Sequence, residues 1–149
     1  MSKISEILNF AFKDETGTDS FVSFGSIPNF QSRAINQYCE IDVKGGKWKL
    51  TARGIRHAFS GHGDKILEDK RGQIAITKPN FELLPEILSS PDLYIKSNKN
   101  RNGSRSGAVF VKYYHEKAYC VVMAKEGKDL VFATMYIKKN KADVRSTSA

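Results

Sequence analysis

The sequence predicts an α+β fold in which N-terminal helices pack on an antiparallel sheet that ends in a three- to four-stranded meander. Helical spacing of apolar residues is found early in the chain, whereas long strand-like runs occupy residues 108–114, 117–125 and 128–138. The turns between these runs are too short for crossover helices, so neighbouring strands must be antiparallel. With 149 residues, 40% of them hydrophobic, one domain with an ordinary core is expected.

The first predicted element is a short helix. Five apolar residues near the N-terminus share one helical face, namely Ile4, Ile7, Leu8, Ala11 and Phe12. The polar segment 14–17 ends this helix.

A strand, a helix and a small hairpin are predicted next. Residues 21–24 form the strand and residues 31–38 the helix. Residues 39–43 alternate between apolar and polar side chains, residues 45–46 are two glycines that suit a tight turn, and residues 48–50 return as the partner strand.

A second amphipathic helix is expected after this hairpin. Thr51 can cap its N-terminus, and Gly61 is expected to end it just beyond Phe59. Composition then predicts a strand over residues 73–76, a helix over 83–88 with Pro85 in its first turn, and a strand over 92–96.

Two polar segments lie outside these elements. Residues 97–106 are basic and lack apolar anchors, which predicts a mobile loop. Residues 139–149 are predicted to be a polar basic tail. We therefore expect a single domain over residues 1–138.

The charge balance favours an anionic partner. The chain has 24 Lys and Arg against 16 Asp and Glu, a formal charge of +8 with a pI near 9.5. Nucleic acid fits best because phosphates bind clustered Lys and Arg, and the alternative is a charge that only maintains solubility. The sequence has neither an apolar run long enough to span a bilayer nor a secretory signal, which predicts a cytoplasmic site of action and no membrane partner.

No cofactor is predicted. The two cysteines, Cys39 and Cys120, lie far apart, so neither a disulfide framework nor a zinc site is expected. Metal-ligand spacings, a serine-hydrolase elbow and glycine-rich phosphate or dinucleotide loops are all missing from the sequence.

The densest chemical signal holds two of the three histidines together with two arginines: Arg53, Arg56, His57 and His62. Imidazole suits proton transfer at neutral pH, and two histidines can divide the roles of base and acid. On a continuous helix a five-residue offset turns them about 140° apart, whereas a bend at Gly61 would re-aim His62. The alternative is that His57 packs or caps locally and His62 is an ordinary loop residue.

The last three strands fit one register if residues 115–116 and 126–127 are two-residue turns. Lys112 then faces Tyr119, and Tyr119 faces Thr134. One sheet face is nearly all apolar and is expected to be the core: Val109, Val111, Tyr113, Ala118, Cys120, Val122, Ala124, Val131, Ala133, Met135 and Ile137. The face expected to meet solvent or substrate holds Lys112, Tyr114, Tyr119, Thr134 and Tyr136.

Cations and aromatic rings are predicted to lie together at this open face. The loop and its borders supply Lys96, Lys99, Arg101 and Arg105, and the face adds Lys112, Tyr114, Tyr119 and Tyr136. Single-stranded RNA is bound in this way, because cations contact phosphates while rings stack on bases. The alternative is a solvated loop beside tyrosines that only pack.

Three segments resemble the phage-associated barnase, EndoU, colicin and RelE-like nucleases: the histidine segment 56–63, residues 83–92, and the end of the last strand at residues 133–136. The order of elements matches as well, over roughly residues 40–138. The resemblance implies a metal-independent ribonuclease fold, helices on an antiparallel sheet, often used as a toxin domain in phage or bacterial conflict. It also implies that His57 or His62 is the helix histidine of the site. Thr134 and Tyr136 match polar positions on the last strand.

These features together predict an endoribonuclease in which the ribose 2′-hydroxyl attacks the adjacent phosphate while His57 and His62 move protons. A cation among Arg53, Arg56 and Lys112 would stabilise the transition state. RNA is the expected substrate, and an immunity protein or antitoxin is the partner that a toxin role would imply. The alternative is a noncatalytic RNA-binding or phage structural accessory module, in which the cations bind phosphate and the histidines are dispensable.

Overall fold

The computed structural model describes residues 4, 6–8, 21–97 and 106–144, and its centre is a seven-stranded sheet. The strands are β1 (Phe21–Ser26), β2 (Lys47–Thr51), β3 (Gln73–Ile74), β4 (Leu93–Ser97), β5 (Gly107–Tyr114), β6 (Lys117–Glu126) and β7 (Asp129–Lys138). The helices are α1 (Asn29–Cys39), α2 (Ala52–His62), α3 (Lys65–Lys70), α4 (Lys78–Phe81) and α5 (Leu84–Ser89), followed after β7 by a 3₁₀ turn (Lys141–Asp143).

Neighbouring strands follow the order β1-β2-β7-β6-β5-β4, and β3 pairs with the far end of β7. β4 to β7 form an antiparallel meander, and β2 joins it in parallel with β7. The predicted α+β class with a C-terminal meander is therefore confirmed.

The predicted hairpin over residues 39–50 is wrong. Cys39 is the last residue of α1, and Glu40 ends that helix with a left-handed φ of 59°. Residues 40–43 form no strand, although Ile41 and Val43 are buried in the core. Apolar and polar residues alternate here because the connecting segment buries Ile41 and Val43 and exposes the residue between them. Strand β2 pairs with β1 and β7 instead.

The N-terminal helical prediction is confirmed where the structure describes it. Residues 4 and 6–8 are helical, and Ile4, Ile7 and Leu8 are buried in the main core. Ala11 and Phe12 lie outside the described residues.

Helix α2 starts where the sequence predicts and ends later. The Thr51 hydroxyl accepts a hydrogen bond from the Gly54 N–H at 2.9 Å, which is the expected N-cap. The helix continues through Gly61 and is capped at Gly63. Glycine is needed at residue 63 because a β-carbon there would lie 2.6 Å from the carbonyl oxygen of Phe59.

The outer edge of β7 is shared by three neighbours. β2 pairs with Leu130 and Val131, and β3 pairs with Ile137 and Lys138. Helix α2 lies against the part of this edge between Val131 and Ile137. Its Gly54 is so close to β7 that a β-carbon there would be 3.0 Å from the Phe132 carbonyl oxygen. This helix therefore runs along the edge of β7.

The predicted row of Lys112, Tyr119 and Thr134 is wrong. Residues 115–116 form the predicted first turn and Lys112 does pair with Tyr119, but Tyr119 pairs with Ile137. The second turn is residues 127–128, and a bulge near Ala133 shifts the register again. Thr134 consequently lies on the sheet face opposite to Lys112.

The two sheet faces are also exchanged relative to the prediction for β5 and β6. The face covered by helices, called here the helix-covered face, includes Ala108, Phe110, Val121, Met123, Leu130, Phe132, Met135 and Ile137, with Tyr114 and Tyr119 packed against it. The second face has a smaller cluster of Val111, Ala118 and Cys120, with Leu93, Ile95, Val109, Tyr113, Tyr136 and Val144 around it. Both faces are apolar, so alternation alone does not identify the side on which the helices pack.

The chain continues to make contacts beyond β7. The Lys139 side chain pairs with Asp69, and Val144 packs on the second face. Residues 98–105 of the predicted loop and residues 145–149 lie outside the described residues. In the described ranges, no helix has the length and apolar character needed to cross a bilayer.

Gly46 lies where no side chain fits, because a β-carbon there would be 1.7 Å from the Lys128 carbonyl oxygen. Its own backbone bonds to Ile27 and Val43. We predict that Gly46→Ala lowers the free energy of unfolding by about 3 kcal/mol or more, measured by urea denaturation.

Gly61→Ala is the matched control for this substitution. A β-carbon at this helical position meets nothing within 4 Å, so the free energy of unfolding should rise by about 0.5 to 1 kcal/mol. A Gly46→Ala protein as stable as the wild type would contradict the placement of β2 against the turn between β6 and β7.

Candidate active site

His62, the last residue of α2, forms a pair with Glu68 of α3. The His62 Nδ1 and the Glu68 Oε2 are 3.1 Å apart. The Glu68 side chain is 1% exposed and that of His62 is 21% exposed, so a buried carboxylate lies beneath an imidazole that still reaches solvent. Arg71 completes the group, since its Nη1 lies 2.6 Å from the Glu68 Oε1 and donates to the Gly61 carbonyl at 2.9 Å.

A local capping motif positions the carboxylate. The Asp64 side chain accepts hydrogen bonds from the backbone N–H groups of Ile66 and Leu67, at 2.9 and 3.1 Å. This N-cap starts α3 directly after the turn at Gly63. The first turn of α3 then carries Glu68 back toward the end of α2.

The pairing determines which imidazole nitrogen carries the proton. An ionised carboxylate only accepts hydrogen bonds, so the His62 Nδ1 must donate to Glu68. Nε2 is then the acceptor nitrogen of the neutral ring, and it makes no hydrogen bond within the part of the chain that the structure describes. An imidazole oriented by a carboxylate, with its second nitrogen available, has the arrangement of a general base.

Tyr136 of β7 lies beside His62 on the second face. Their ring centroids are 5.6 Å apart and the ring planes are inclined by 38°. Burial raises the pKa of Tyr136 to about 12, and the neighbouring Cys120 thiol adds to the effect. The hydroxyl keeps its proton at neutral pH, and its hydrogen-bonding neighbour on this face is the Cys120 thiol. The Lys138 ammonium, 5.8 Å from the centre of the Tyr136 ring, adds positive charge at the same place.

A second pair of tyrosine and lysine lies on the same face. The Lys141 ammonium is 5.8 Å from the centre of the Tyr113 ring. Tyr113 pairs with Ala118, which pairs with Lys138, so Tyr113 and Tyr136 are two strands and two residues apart. Strand spacings place their α-carbons about 12 Å from each other.

The two predicted helix histidines do not come together. Because α2 continues through Gly61, His57 is turned about 140° from His62 and is exposed. Arg53 is also exposed, and Arg56 is half-buried. The structure thus brings one of the two histidines to Tyr136.

The predicted RNA-binding residues of β5 and β6 lie on the helix-covered face. The Lys112 Nζ donates to the Ser90 carbonyl at 2.8 Å, next to the end of α5. Tyr114 and Tyr119 pack edge to face, with ring centroids 4.9 Å apart. Burial raises the pKa of Tyr114 to about 12, and the charge of Glu86 adds to the shift.

The remaining predicted residues are distributed over the molecule. Lys96 pairs with Glu40. Thr134 is half-buried on the second face, two positions from Tyr136 on the same strand. Lys99, Arg101 and Arg105 lie outside the described residues.

Sequence reasoning missed four residues of this site: Glu68, Arg71, Lys138 and Lys141. A signal for Glu68 was present, because the His-Gly-Asp sequence at residues 62–64 ends one helix and caps the next, and a carboxylate in the first turn of the second helix can fold back. In the described part of the chain, no three His, Cys, Asp or Glu side chains converge as metal ligands.

A family model described as phage-Barnase-EndoU-ColicinE5/D-RelE like nuclease3 matches residues 26–144. The chain belongs to this nuclease family. No curated protein and no solved structure matches it.

The family match is longer than the segment of roughly residues 40–138 in which the order of elements resembles these nucleases. It extends from the end of β1 to Val144, so it includes the pair of His62 and Glu68 and both tyrosine–lysine pairs. The site described above therefore lies entirely in the part of the chain that the family model matches.

The two thiols of the nuclease are expected to be unreactive in the folded state. Burial raises the pKa of Cys39 and that of Cys120 to about 11. Because the thiolate is the reactive form, roughly one part in 10⁴ of each is reactive at pH 7. We predict slow reaction with Ellman's reagent at neutral pH and rapid reaction of both thiols in concentrated guanidinium chloride.

These shifts also have a consequence for stability. In the unfolded chain the thiols ionise near their ordinary pKa of 9.0, whereas in the folded chain they ionise near 11. Their contribution to the free energy of unfolding is therefore complete below about pH 9 and is lost as the pH rises through about 11.

In the test with Ellman's reagent, a thiol that reacts rapidly in the native protein would contradict the burial of Cys120 beside Tyr136.

Proposed function

We propose that this nuclease is an endoribonuclease that cleaves RNA by attack of the ribose 2′-hydroxyl on the adjacent phosphate, without a metal ion. The observation that supports the proposal is the His62 imidazole, held at Nδ1 by the buried Glu68 and placed against Tyr136. An oriented base beside a hydroxyl donor and a cation is what this reaction requires.

In the proposed step, the His62 Nε2 takes the proton of the 2′-hydroxyl. The 2′-oxygen then forms a bond to phosphorus, the bond from phosphorus to the 5′-oxygen breaks, and that oxygen takes up a proton from solvent. The products are a 2′,3′-cyclic phosphate and a free 5′-hydroxyl. Lys138 and the Tyr136 hydroxyl stabilise the negative charge that develops on the phosphate oxygens.

RNA would bind at the rim of the second face, around its buried cluster of Val111, Ala118 and Cys120. The pairs of Tyr113 with Lys141 and of Tyr136 with Lys138 each combine a ring with a cation. Rings stack on bases while cations contact phosphates, and a formal charge of +8 attracts the polyanion. The cation–aromatic surface of this proposal differs from the one predicted from the sequence. Among the described residues the two have Tyr136 in common, whereas Tyr114 and Tyr119 pack against the core and Lys112 lies on their face.

We predict that the purified protein cleaves RNA in the presence of EDTA and leaves 2′,3′-cyclic phosphate ends. His62→Ala should lower the cleavage rate about 10²-fold or more, the usual loss for a general base, in protein that is still folded at the assay temperature, although the melting temperature falls because the buried Glu68 loses one of its partners. His57→Ala is the matched control, because it changes the same residue type on an exposed part of the same helix and should leave the rate nearly unchanged.

Each other outcome identifies a different error. Activity that disappears on chelation and returns with Mg²⁺ or Zn²⁺ would show that the chemistry needs a metal. RNA retention without cleavage would favour the noncatalytic RNA-binding module. An equal loss in His57→Ala would favour the two-histidine mechanism predicted from the sequence.

Glu68 is proposed as the residue that positions His62, and Glu68→Gln tests this role. A glutamine amide can donate to Nδ1 as well as accept from it, so the useful tautomer is no longer enforced. We predict that kcat falls at least about tenfold while KM changes little, measured by steady-state cleavage of an RNA oligonucleotide.

Asp69→Asn is the matched control, since Asp69 is the next acidic residue of α3 but is exposed and paired with Lys139. Circular dichroism checks that both variants fold. Wild-type kcat in a folded Glu68→Gln variant would show that the carboxylate has only a structural role.

A further inference from the structure

Arg71 lies directly after α3 and contacts two groups that surround His62. Its Nη1 donates to the Glu68 Oε1 at 2.6 Å and to the Gly61 carbonyl at 2.9 Å. The first group is a carboxylate with 1% of its side chain exposed, and the second belongs to the last turn of α2. One guanidinium therefore joins the end of α2 to the carboxylate beneath His62.

Both of these groups favour a protonated His62. The Glu68 Oε2 lies 3.1 Å from the His62 Nδ1, and a negative charge at this distance stabilises the imidazolium. The carbonyl dipoles at the end of a helix also favour a cation. An imidazolium carries a proton on each nitrogen, so its Nε2 cannot accept another. A base at this position therefore requires a positive charge that compensates both groups.

The backbone around Arg71 is held on both sides. Gly72, with a φ of 71°, turns the chain after α3, and its carbonyl accepts from the Lys139 N–H at 3.1 Å. Further along, the Ile76 N–H donates to the His62 carbonyl at 3.0 Å. Because these bonds tie the segment after α3 to the end of β7 and to the end of α2, the guanidinium extends from a fixed position.

The other titratable groups around His62 belong to α3 and its N-cap, to β6, and to β7 and the residue after it: Asp64, Asp69, Cys120, Tyr136, Lys138 and Lys139. Two of them are neutral at pH 7, because burial raises the pKa of Tyr136 to about 12 and that of Cys120 to about 11. The others have partners of their own, since Asp64 caps α3, Asp69 pairs with Lys139, and Lys138 lies over the Tyr136 ring. Arg71 is the cation that contacts the Glu68 carboxylate.

We propose that Arg71 is a positioning residue that keeps His62 neutral, because its permanent charge compensates the Glu68 carboxylate and the end of α2. Without the guanidinium, a proton on His62 takes over this compensation and blocks Nε2. The role rests on the proposed function of His62 as a base, but it concerns the charge of the imidazole, which is measured apart from RNA cleavage.

Nitrogen NMR of the ¹⁵N-labelled full-length protein at pH 7 tests the charge directly. The His62 ring signals are identified by their loss in His62→Ala. We expect one protonated nitrogen, Nδ1, and one unprotonated nitrogen, Nε2. A wild-type ring with both nitrogens protonated would overturn the proposal.

Arg71→Gln removes the charge that acts on His62. We expect the pH at which the ring takes up its second proton to rise by about 0.5 to 2 pH units, and the acid limb of the kcat/KM profile for RNA cleavage to move with it. Lys70→Gln is the matched control, because it removes the same charge from the preceding, exposed residue. It should move neither by more than about 0.2 pH units, since solvent and salt screen an exposed charge.

Arg71→Lys keeps the charge and should titrate closer to the wild type than Arg71→Gln does. Proton uptake by His62 at the same pH in Arg71→Gln and in the wild type would contradict the proposal. If Arg71→Gln does not fold, the wild-type NMR measurement still decides, because it needs no substitution at Arg71. The expected NMR result in a protein that does not cleave RNA would support the role of Arg71 and contradict only the proposed function.

Discussion

The arrangement of the molecule depends on how the outer edge of β7 is covered. β2 pairs with one part of this edge and β3 with another, and α2 occupies the interval between them. An uncovered strand edge would expose unpaired backbone groups, so this coverage is a requirement of the sheet. Because α2 lies along the edge of β7, its last residue reaches the second face. The same packing that protects the edge therefore places His62 against Tyr136.

The positions of most elements could be predicted from the sequence, and the meander was predicted correctly, because strand-like runs and glycine turns are local signals. The side of the sheet on which the helices pack was not predicted correctly. Both faces of β5 and β6 are apolar, with Phe110 on one face and Val111 on the other, so the period-two pattern has no polar side. The second turn was placed one residue early, and the bulge near Ala133 changed the face of the remaining β7 residues. A bulge depends on tertiary pairing and leaves little trace in sequence.

The candidate site shows the same limit. Histidine density predicts the segment that holds the candidate base, but His57 and His62 are equivalent in the sequence, and only the continuity of α2 separates them. Glu68 is not predicted by the sequence, because a carboxylate that becomes buried on folding has the same sequence context as a surface carboxylate in a short charged helix. Lys138 and Lys141 were assigned to a strand end and a tail, since only the folded chain brings them to the tyrosines of the second face.

The burial of Glu68 is better explained by the orientation of His62 than by stability. Removing a carboxylate from water costs several kcal/mol, and ion pairing in the interior often only offsets that cost, so an apolar residue at the same position would serve folding as well or better. The two partners of Glu68 have different environments. Arg71 is 48% exposed and neutralises the charge from the protein surface, whereas His62 is the partner whose geometry the carboxylate determines. In the proposed mechanism this orientation has a use, because a carboxylate that fixes Nδ1 leaves Nε2 available for proton transfer.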